Sequence, residues 1–304
     1  MTTVVGQSVR RREDPRFLRG EGHFVDDLRI PGALHVTFIR SPWAHARVLR
    51  VDGSAASELP DTEAFTAADM DLPAYPAPPF LGLGEEMHRP LLAGEKVRFV
   101  GDIVAAVTST SREASVDAAE LVEVEYEPLA AITDPAVAAR DELLLFEEHG
   151  TNVCFRQPAE GGEDLFAGCE VVTSGTIVSP RLAACPIEPR ATIAQFDDDG
   201  RLTIWLSTQT PHQDKAMLES LFGLEPHQVR VIAPDVGGGF GGKALDVEDA
   251  LVVWLSRKTG RPVRWTETRS EHMVAMHHGR AQRLEFTIGG SSAGEVTALR
   301  CNVL

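Results

Sequence analysis

Apolar positions along the chain fall into short runs of two different periods, and the periods predict the elements. From Leu34 to Arg40, Leu34, Val36 and Phe38 alternate with His35 and Thr37, the period of two of a half-buried strand. Val97 to Val100 and Ile103 to Val107 predict a second strand pair, joined tightly through Gly101-Asp102. Ala114, Ala118 and Ala119 have helical spacing between Arg112 and Leu121, and Val122 to Tyr126 predicts another strand. Val171 to Val178 opens a further β region, in which Ala191 to Phe196 and Leu202 to Leu206 flank the turn Asp197-Asp198-Asp199-Gly200. A helix is predicted from Pro211, with Thr210 as N-cap, Met217, Leu221 and Phe222 on one face and Gly223 as its stop. Gln228 to Ala233 predicts a short strand feeding a loop, Asp235 to Lys243. Val247 to Lys258 predicts a helix with Ala250, Leu251, Trp254 and Leu255 on one side and Gly260 beyond it. At the end, Val296 to Leu304 reads as a strand awaiting its partners.

Breaks in these patterns divide the chain. Residues 1–18 are polar and arginine-rich, and the Asp14-Pro15 step favours an extended or turn conformation over helix, so an arm lying against a neighbour is expected. Tyr75-Pro76-Ala77-Pro78-Pro79 can continue neither a helix nor a central strand and is expected to be a loop. Periodicity weakens between Pro135 and Glu163, where Gly161-Gly162 precedes a new strand pattern. The expected division is an arm at 1–18, a mixed domain at 19–135, a linker at 136–165 and a second domain at 166–304, an α+β protein with no solenoid repeat.

Composition narrows the function classes. With 43% apolar and 24% charged residues in 304, the chain can bury a substantial core. A formal charge of −16, with Lys and Arg scattered, opposes binding to nucleic acid or an anionic membrane surface. The N-terminus lacks the apolar stretch of a secretory signal, and no apolar run approaches the roughly 18 residues of a membrane span, so a cytoplasmic location is the expectation. Cys154, Cys169, Cys185 and Cys301 are too irregularly spaced for a disulfide framework, a zinc site or an iron–sulfur site and are read as reduced thiols.

The stretch richest in chemistry is Val236-Gly237-Gly238-Gly239-Phe240-Gly241-Gly242-Lys243, in which five glycines surround one aromatic. Without side chains, backbone N–H groups can approach a bulky ligand, and a loop between a strand and a helix suits an anionic cofactor. Gly237, Gly239 and Gly242 formally match G-x-G-x-x-G, but Asp246, Glu248 and Asp249 come too early, and Glu267 somewhat too late, for the acid about 20 residues on. Lys243 is followed by Ala244, so the phosphate-binding pattern ending in Lys-Ser/Thr fails. On these residues alone, a ligand loop and a structural tight turn both stay open.

A set of motifs spread over nearly the whole chain resembles the molybdenum hydroxylase large subunit, the family of xanthine dehydrogenases, aldehyde oxidases and carbon monoxide dehydrogenases. The motifs are Gly20-Glu21-Gly22-His23-Phe24-Val25-Asp26-Asp27 with Pro31-Gly32, Arg40-Ser41-Pro42-Trp43-Ala44-His45-Ala46 and Val97-Arg98-Phe99-Val100-Gly101-Asp102. Asp117-Ala118-Ala119-Glu120, Glu188-Pro189-Arg190, Ser207-Thr208-Gln209 and Gly238-Gly239-Phe240-Gly241 follow in the family's order. The resemblance implies an α/β hammerhead domain followed by the first part of a molybdopterin-binding domain. It implies that Gln209 hydrogen-bonds near the metal's oxygen ligands, that the Phe240 amide donates to a molybdenum oxo group, and that Gly238, Gly239 and Gly241 admit the pterin.

The implied chemistry is oxidation of an aldehyde or N-heterocycle, or of carbon monoxide, with oxygen drawn from water and a glutamate general base. No residue here resembles that base, which is expected outside this chain in the remaining half of the large subunit. The molybdenum–molybdopterin cofactor, in a form that can carry a cytosine dinucleotide, is expected here; iron–sulfur clusters and FAD are expected on partner subunits. Ala184 replaces a histidine of many relatives, and Ala244 replaces the substrate-binding glutamate of purine oxidisers, which disfavours xanthine.

Other polar clusters read blandly. His272, His277 and His278 lack the spacing of a zinc pair, Asp197 to Asp199 fits a hairpin turn, and Glu120, Glu123, Glu125 and Glu127 fit a solvated face. Two rival readings stand beside the enzyme: a non-catalytic remnant or assembly module that binds partner subunits, and a nucleotide-binding protein using the glycine loop.

Overall fold

The computed structural model describes residues 4–77, 83–157 and 162–304. Pro78, Pro79 and Gly161, parts of the expected loop and junction, lie outside them. The strands in chain order are β1 (Leu34–Arg40), β2 (Ala46–Asp52), β3 (Glu63–Thr66), β4 (Lys96–Val97), β5 (Ile103–Ser109), β6 (Glu123–Pro128) and β7 (Val171–Ala183). Then come β8 (Ala191–Phe196), β9 (Leu202–Leu206), β10 (Val229–Ile232), β11 (Val263–Thr266), β12 (His278–Gly290) and β13 (Val296–Val303). The helices are α1 (Asp14–Leu18), α2 (Ser54–Ser57), α3 (Arg112–Ala119), α4 (Pro135–Ala138), α5 (Pro211–Phe222), α6 (Val247–Thr259) and α7 (Arg269–Ala275). Contacts gather the chain into two compact units, one of Met1–Leu34 with Pro186–Glu267 and one of His35–Cys185 with Thr268–Leu304.

The first unit is a sheet in the order β10-β9-β8-β11. The hairpin β8–β9 forms in the register Thr192 opposite Leu206 to Phe196 opposite Leu202, around the expected aspartate turn, where Asp197 O accepts from Gly200 N at 2.9 Å. β10 lies parallel to β9, which requires a crossover, and α5 supplies it. The stops of α5 and α6 are the expected glycines, Gly223 and Gly260. The buried face of α5 includes the expected Leu221 and Phe222, with Met217 only half-buried, and adds Leu218 and Asp214, whose carboxylate meets Thr208, Thr210 and the Leu245 amide.

Helix α6 departs further from its pattern. Instead of one apolar side, every residue from Val247 to Ser256 is buried, Glu248 and Asp249 included, with β8 and β11 among its packing partners. A helix buried all round is ordinarily apolar all round, so these two carboxylates need partners in the interior. The N-terminal segment also differs from the expected arm. Asp14–Leu18 is a short helix with proline in its first turn, where an amide has no intrahelical acceptor to lose. Its Arg16 is bound to Asp235 of this same chain. Val25, buried against Ala191 and Ile193, and Arg264, whose guanidinium reaches Asp26 Oδ1 at 2.8 Å, fasten the following segment to the sheet.

In the second unit β1, β5 and β3 form one antiparallel set and β4, β2 and β6 another. β1 buries Leu34, Val36 and Phe38 in the expected alternation. The expected hairpin through Gly101-Asp102 does not form. β4 is only Lys96–Val97 and pairs with β2, whereas β5 pairs with β1 and β3. Asp102 explains the break: its carboxylate accepts from the Arg98 amide at 3.2 Å and faces Arg89 at 3.6 Å, so it ties the turn inward instead of continuing a ladder. In β6, Glu123, Glu125 and Glu127 face solvent as expected while Val124 and Tyr126 face the core. β7, β12 and β13 make a third sheet, in which β12 pairs with both others. Among the described residues no helix is long and apolar enough to cross a membrane.

Candidate functional site

The glycine loop lies in the first unit. Parallel neighbours end at the same sheet edge, so β9, running out into Ser207-Thr208-Gln209, and β10, running out into the loop, bring Gln209 to the glycines. The Gln209 amide donates to Lys243 O at 2.9 Å, and its Oε1 accepts from Gly241 N at 3.0 Å and Lys243 N at 3.5 Å. With that oxygen turned to the loop, the exposed side-chain NH2 is the part able to donate outward. A side chain at Gly239 would run into the Gln209 amide, so the two expected site residues are in close contact.

What the loop offers a ligand is its amides. Those of Gly237, Gly241, Gly242 and Lys243 are satisfied inside the chain. The amides of Gly238, Gly239 and Phe240 find no acceptor among the described residues. Three consecutive unsatisfied donors form the kind of nest that accepts an anion. Phe240 stands at the loop's tip, 77% exposed and in the left-handed region at φ 54°, which is rare for a bulky residue. Gly241 has φ +86° and nothing within 4 Å of a Cβ built there, so this side of the loop is open.

Behind the loop is a network of buried charge that sequence reasoning did not resolve. Glu188 Oε2 accepts from Gly237 N at 2.7 Å, Ser207 Oγ at 2.8 Å and Lys243 Nζ at 2.6 Å. Two residues later the buried Arg190 meets Glu267 Oε1 at 2.7 Å, Glu248 Oε1 at 3.1 Å and Asp246 Oδ2 at 3.1 Å, and lies over the Trp265 ring. Asp246 caps α6, and Asp249 reaches back to the Asp246 amide at 2.9 Å and to the Thr192 hydroxyl. The Glu188-Pro189-Arg190 motif was visible in the sequence, but nothing near it announced that its charges are interior.

Burial sets the protonation here. It works against the charge on Arg190, yet Glu248, Glu267 and Asp246 hold its pKa well above the usual value. Burial pushes Asp249 up to about 8, against the attraction of Arg190 and the Thr192 hydrogen bond, so its carboxyl is largely protonated at neutral pH. At the beginning of the loop the hydrogen bond from Arg16 lowers Asp235 to about 2.

The other clusters do not form metal sites: no group of three or more His, Cys, Asp or Glu among the described residues could hold a metal ion. In the second unit His272 is buried with Nε2 on Ala184 O at 2.7 Å, and His278 meets Met273 O at 3.2 Å, both structural contacts. The four cysteines are free thiols.

Two family models match the chain. One, a molybdopterin cofactor-binding domain, covers residues 145–304, and the other, the a/b hammerhead domain of aldehyde oxidase and xanthine dehydrogenase, covers residues 19–130. The nicotine 6-hydroxylase large subunit of Paenarthrobacter nicotinovorans is 36% identical over 99% of this chain and 38% of its own length. The carbon monoxide dehydrogenase large chain of Afipia carboxidovorans is 36% identical over 99% of this chain and 39% of its own length. The crystal structure of quinoline 2-oxidoreductase from Pseudomonas putida 86 superposes with a TM-score of 0.87 at 36% identity, covering 100% of this chain and 39% of that one. The chain thus spans 38–39% of the length of these relatives.

Proposed function

This chain belongs to the molybdenum hydroxylase large-subunit family, and from that membership we propose that Gln209, Gly238, Gly239, Phe240 and Gly241 form one wall of its molybdenum–molybdopterin site. The observation that carries the proposal is the run of three amides, Gly238 to Phe240, with no acceptor among the described residues, beside an outward-facing carboxamide. These donors fit the group: it is anionic and rich in acceptors, and the loop presents N–H groups on a face kept clear of side chains at Gly241. When bound, the molybdenum supplies Lewis acidity and a two-electron acceptor for oxidation with oxygen from water. The Phe240 amide would donate to an oxygen of the bound group, and the Gln209 NH2 would help to orient it without competing as a metal ligand.

The oxidoreductase is proposed to work only in a larger assembly. The remainder of the large subunit supplies the general base, and partner subunits carry iron–sulfur clusters and FAD. A cytosine dinucleotide form of the pterin and a cytoplasmic complex belong to the same proposal, as does the division into a hammerhead domain at 19–135 and a cofactor domain at 166–304. For substrate, a small N-heterocycle or aldehyde is favoured, with carbon monoxide as the alternative that the second relative's name supports. Ala244 is exposed and has no polar group to grip a purine.

The test is molybdenum and pterin analysis of the protein purified with its native partners, where both are expected in proportion to folded chain. Folded protein carrying neither overturns the reading. Gly241→Val refines it, since the new side chain enters open space but strains the backbone. A cofactor wall loses metal while the hammerhead domain stays folded; a mere turn loses stability and keeps metal in proportion to folded protein.

A further inference from the structure

One carboxylate oxygen holds both ends of the glycine loop. Glu188 Oε2 takes the Gly237 amide where the loop begins and the Lys243 ammonium where it ends, together with the Ser207 hydroxyl at the end of β9. The Lys243 side chain is 0% exposed, so its charge has left water, and a close counter-charge is what offsets that loss. A Cβ at Gly237 would stand 2.6 Å from the Glu188 Cβ, so the loop approaches Glu188 as closely as glycine permits. Glu188 Oε1 is buried with no hydrogen-bond partner among the described residues, and all three donors converge on the other oxygen. None of these contacts uses the amides of Gly238, Gly239 or Phe240.

We propose that Glu188 is the positioning residue of the cofactor loop, fixing it in its binding shape before any ligand arrives. Five glycines in a row of seven residues carry a large conformational entropy, and ordering them on binding would weaken the ligand's affinity. Closing both ends on one anion moves that cost from binding to folding, which is preorganisation. Glutamine is the informative replacement, because it keeps the volume and can set its one acceptor oxygen where Oε2 stands, but it removes the charge facing Lys243 and puts an unmatched NH2 in the buried place of Oε1. The ligand named here rests on the cofactor reading; the preset loop does not.

The experiment uses the protein in its native assembly and compares wild type, Glu188→Gln and the double variant Glu188→Gln/Lys243→Met. Amide hydrogen exchange at Gly237, Gly241, Gly242 and Lys243, the loop amides that have acceptors, is read on cofactor-free protein, and pterin per folded chain on protein as purified. Glu188→Gln is expected to speed exchange in the loop by about tenfold, the factor for losing one charge-assisted hydrogen bond, and to lower pterin several-fold, while β8 and α6 keep their protection. The double variant leaves no ammonium to satisfy and retains a neutral acceptor for Gly237, so it is expected to regain much of both. Unchanged loop exchange and pterin in folded Glu188→Gln overturn the proposal. Should Glu188→Gln fail to fold, the double variant decides: a protected loop supports the proposal, and an unprotected loop or a second failure to fold overturns it. Wild type with a protected loop but no pterin would sink the cofactor reading and leave the positioning role standing. An unprotected loop in wild type that nonetheless binds pterin would do the reverse.

Discussion

The interior behind the glycine loop and the interior around β5 are built from different materials. All seven residues of β5 are buried, and Ile103 to Val107 are apolar and packed on β1 and β3. Behind the loop the buried side chains are Arg190, Lys243, Asp246, Glu248, Asp249 and Glu267. Apolar packing is non-directional and yields gradually when a methyl is lost. A buried ion network has only the geometries in which every charge is met, and it fails steeply when one member is removed. The region proposed to hold a ligand loop in one shape is the one built from the directional material.

Removing the centre of the network should produce the largest effect. Arg190→Met leaves Asp246, Glu248 and Glu267 without their shared cation, and is expected to cost about 3–5 kcal/mol in denaturant unfolding of the first unit. A cost no greater than that of trimming β5 would break the contrast. Next comes Gln209→Ala, which touches the loop but little of the core. It is expected to slow substrate oxidation by the native assembly about 10–100-fold at full molybdenum occupancy, with thermal unfolding nearly unchanged; unaltered kinetics would remove Gln209 from the site.

Val107→Ala, the apolar control, is expected to cost about 1–2 kcal/mol by loss of buried methyl groups, and to leave molybdenum per folded chain unaltered. The smallest effect belongs to Asp235. Its folded pKa lies near 2, below the ordinary carboxylate value, so its contribution is present above about pH 4 and is lost as pH falls toward 2. Because Arg16 is about one-third exposed, solvent screening keeps that contribution small. Asp235→Asn should lower stability above about pH 4 and converge on wild type as pH falls toward 2, removing the dependence in that window; a curve that superposes on wild type would discount the Arg16 contact.

Much of the frame was legible in the chain itself. The alternation of Leu34, Val36 and Phe38, the aspartate turn between β8 and β9, and the helix ending at Gly223 are all local patterns, and all recur in the structure. The glycine loop was legible as a place where side chains are excluded, and Gln209 as a residue at a strand's end. Less legible was everything that depends on a distant partner. Gly101-Asp102 looked like a hairpin turn until Arg89 and the Arg98 amide drew Asp102 inward and sent β4 and β5 to different partners.

The sequence by itself determined where the chain extends, coils and turns, and which family its motifs belong to, because propensity and period act over a few neighbouring residues. Tertiary structure alone decided which charges are interior. Arg190 lies 58 residues from Glu248 and 77 from Glu267, and Lys243 lies 55 from Glu188. A carboxylate on a predicted helix is written the same way whether it faces water or a guanidinium. Only the packing of α6 against β8 and β11 made Glu248 an interior charge and Asp249 an interior, largely protonated carboxyl, since desolvation depends on what surrounds a group in space and not on what precedes it in the chain.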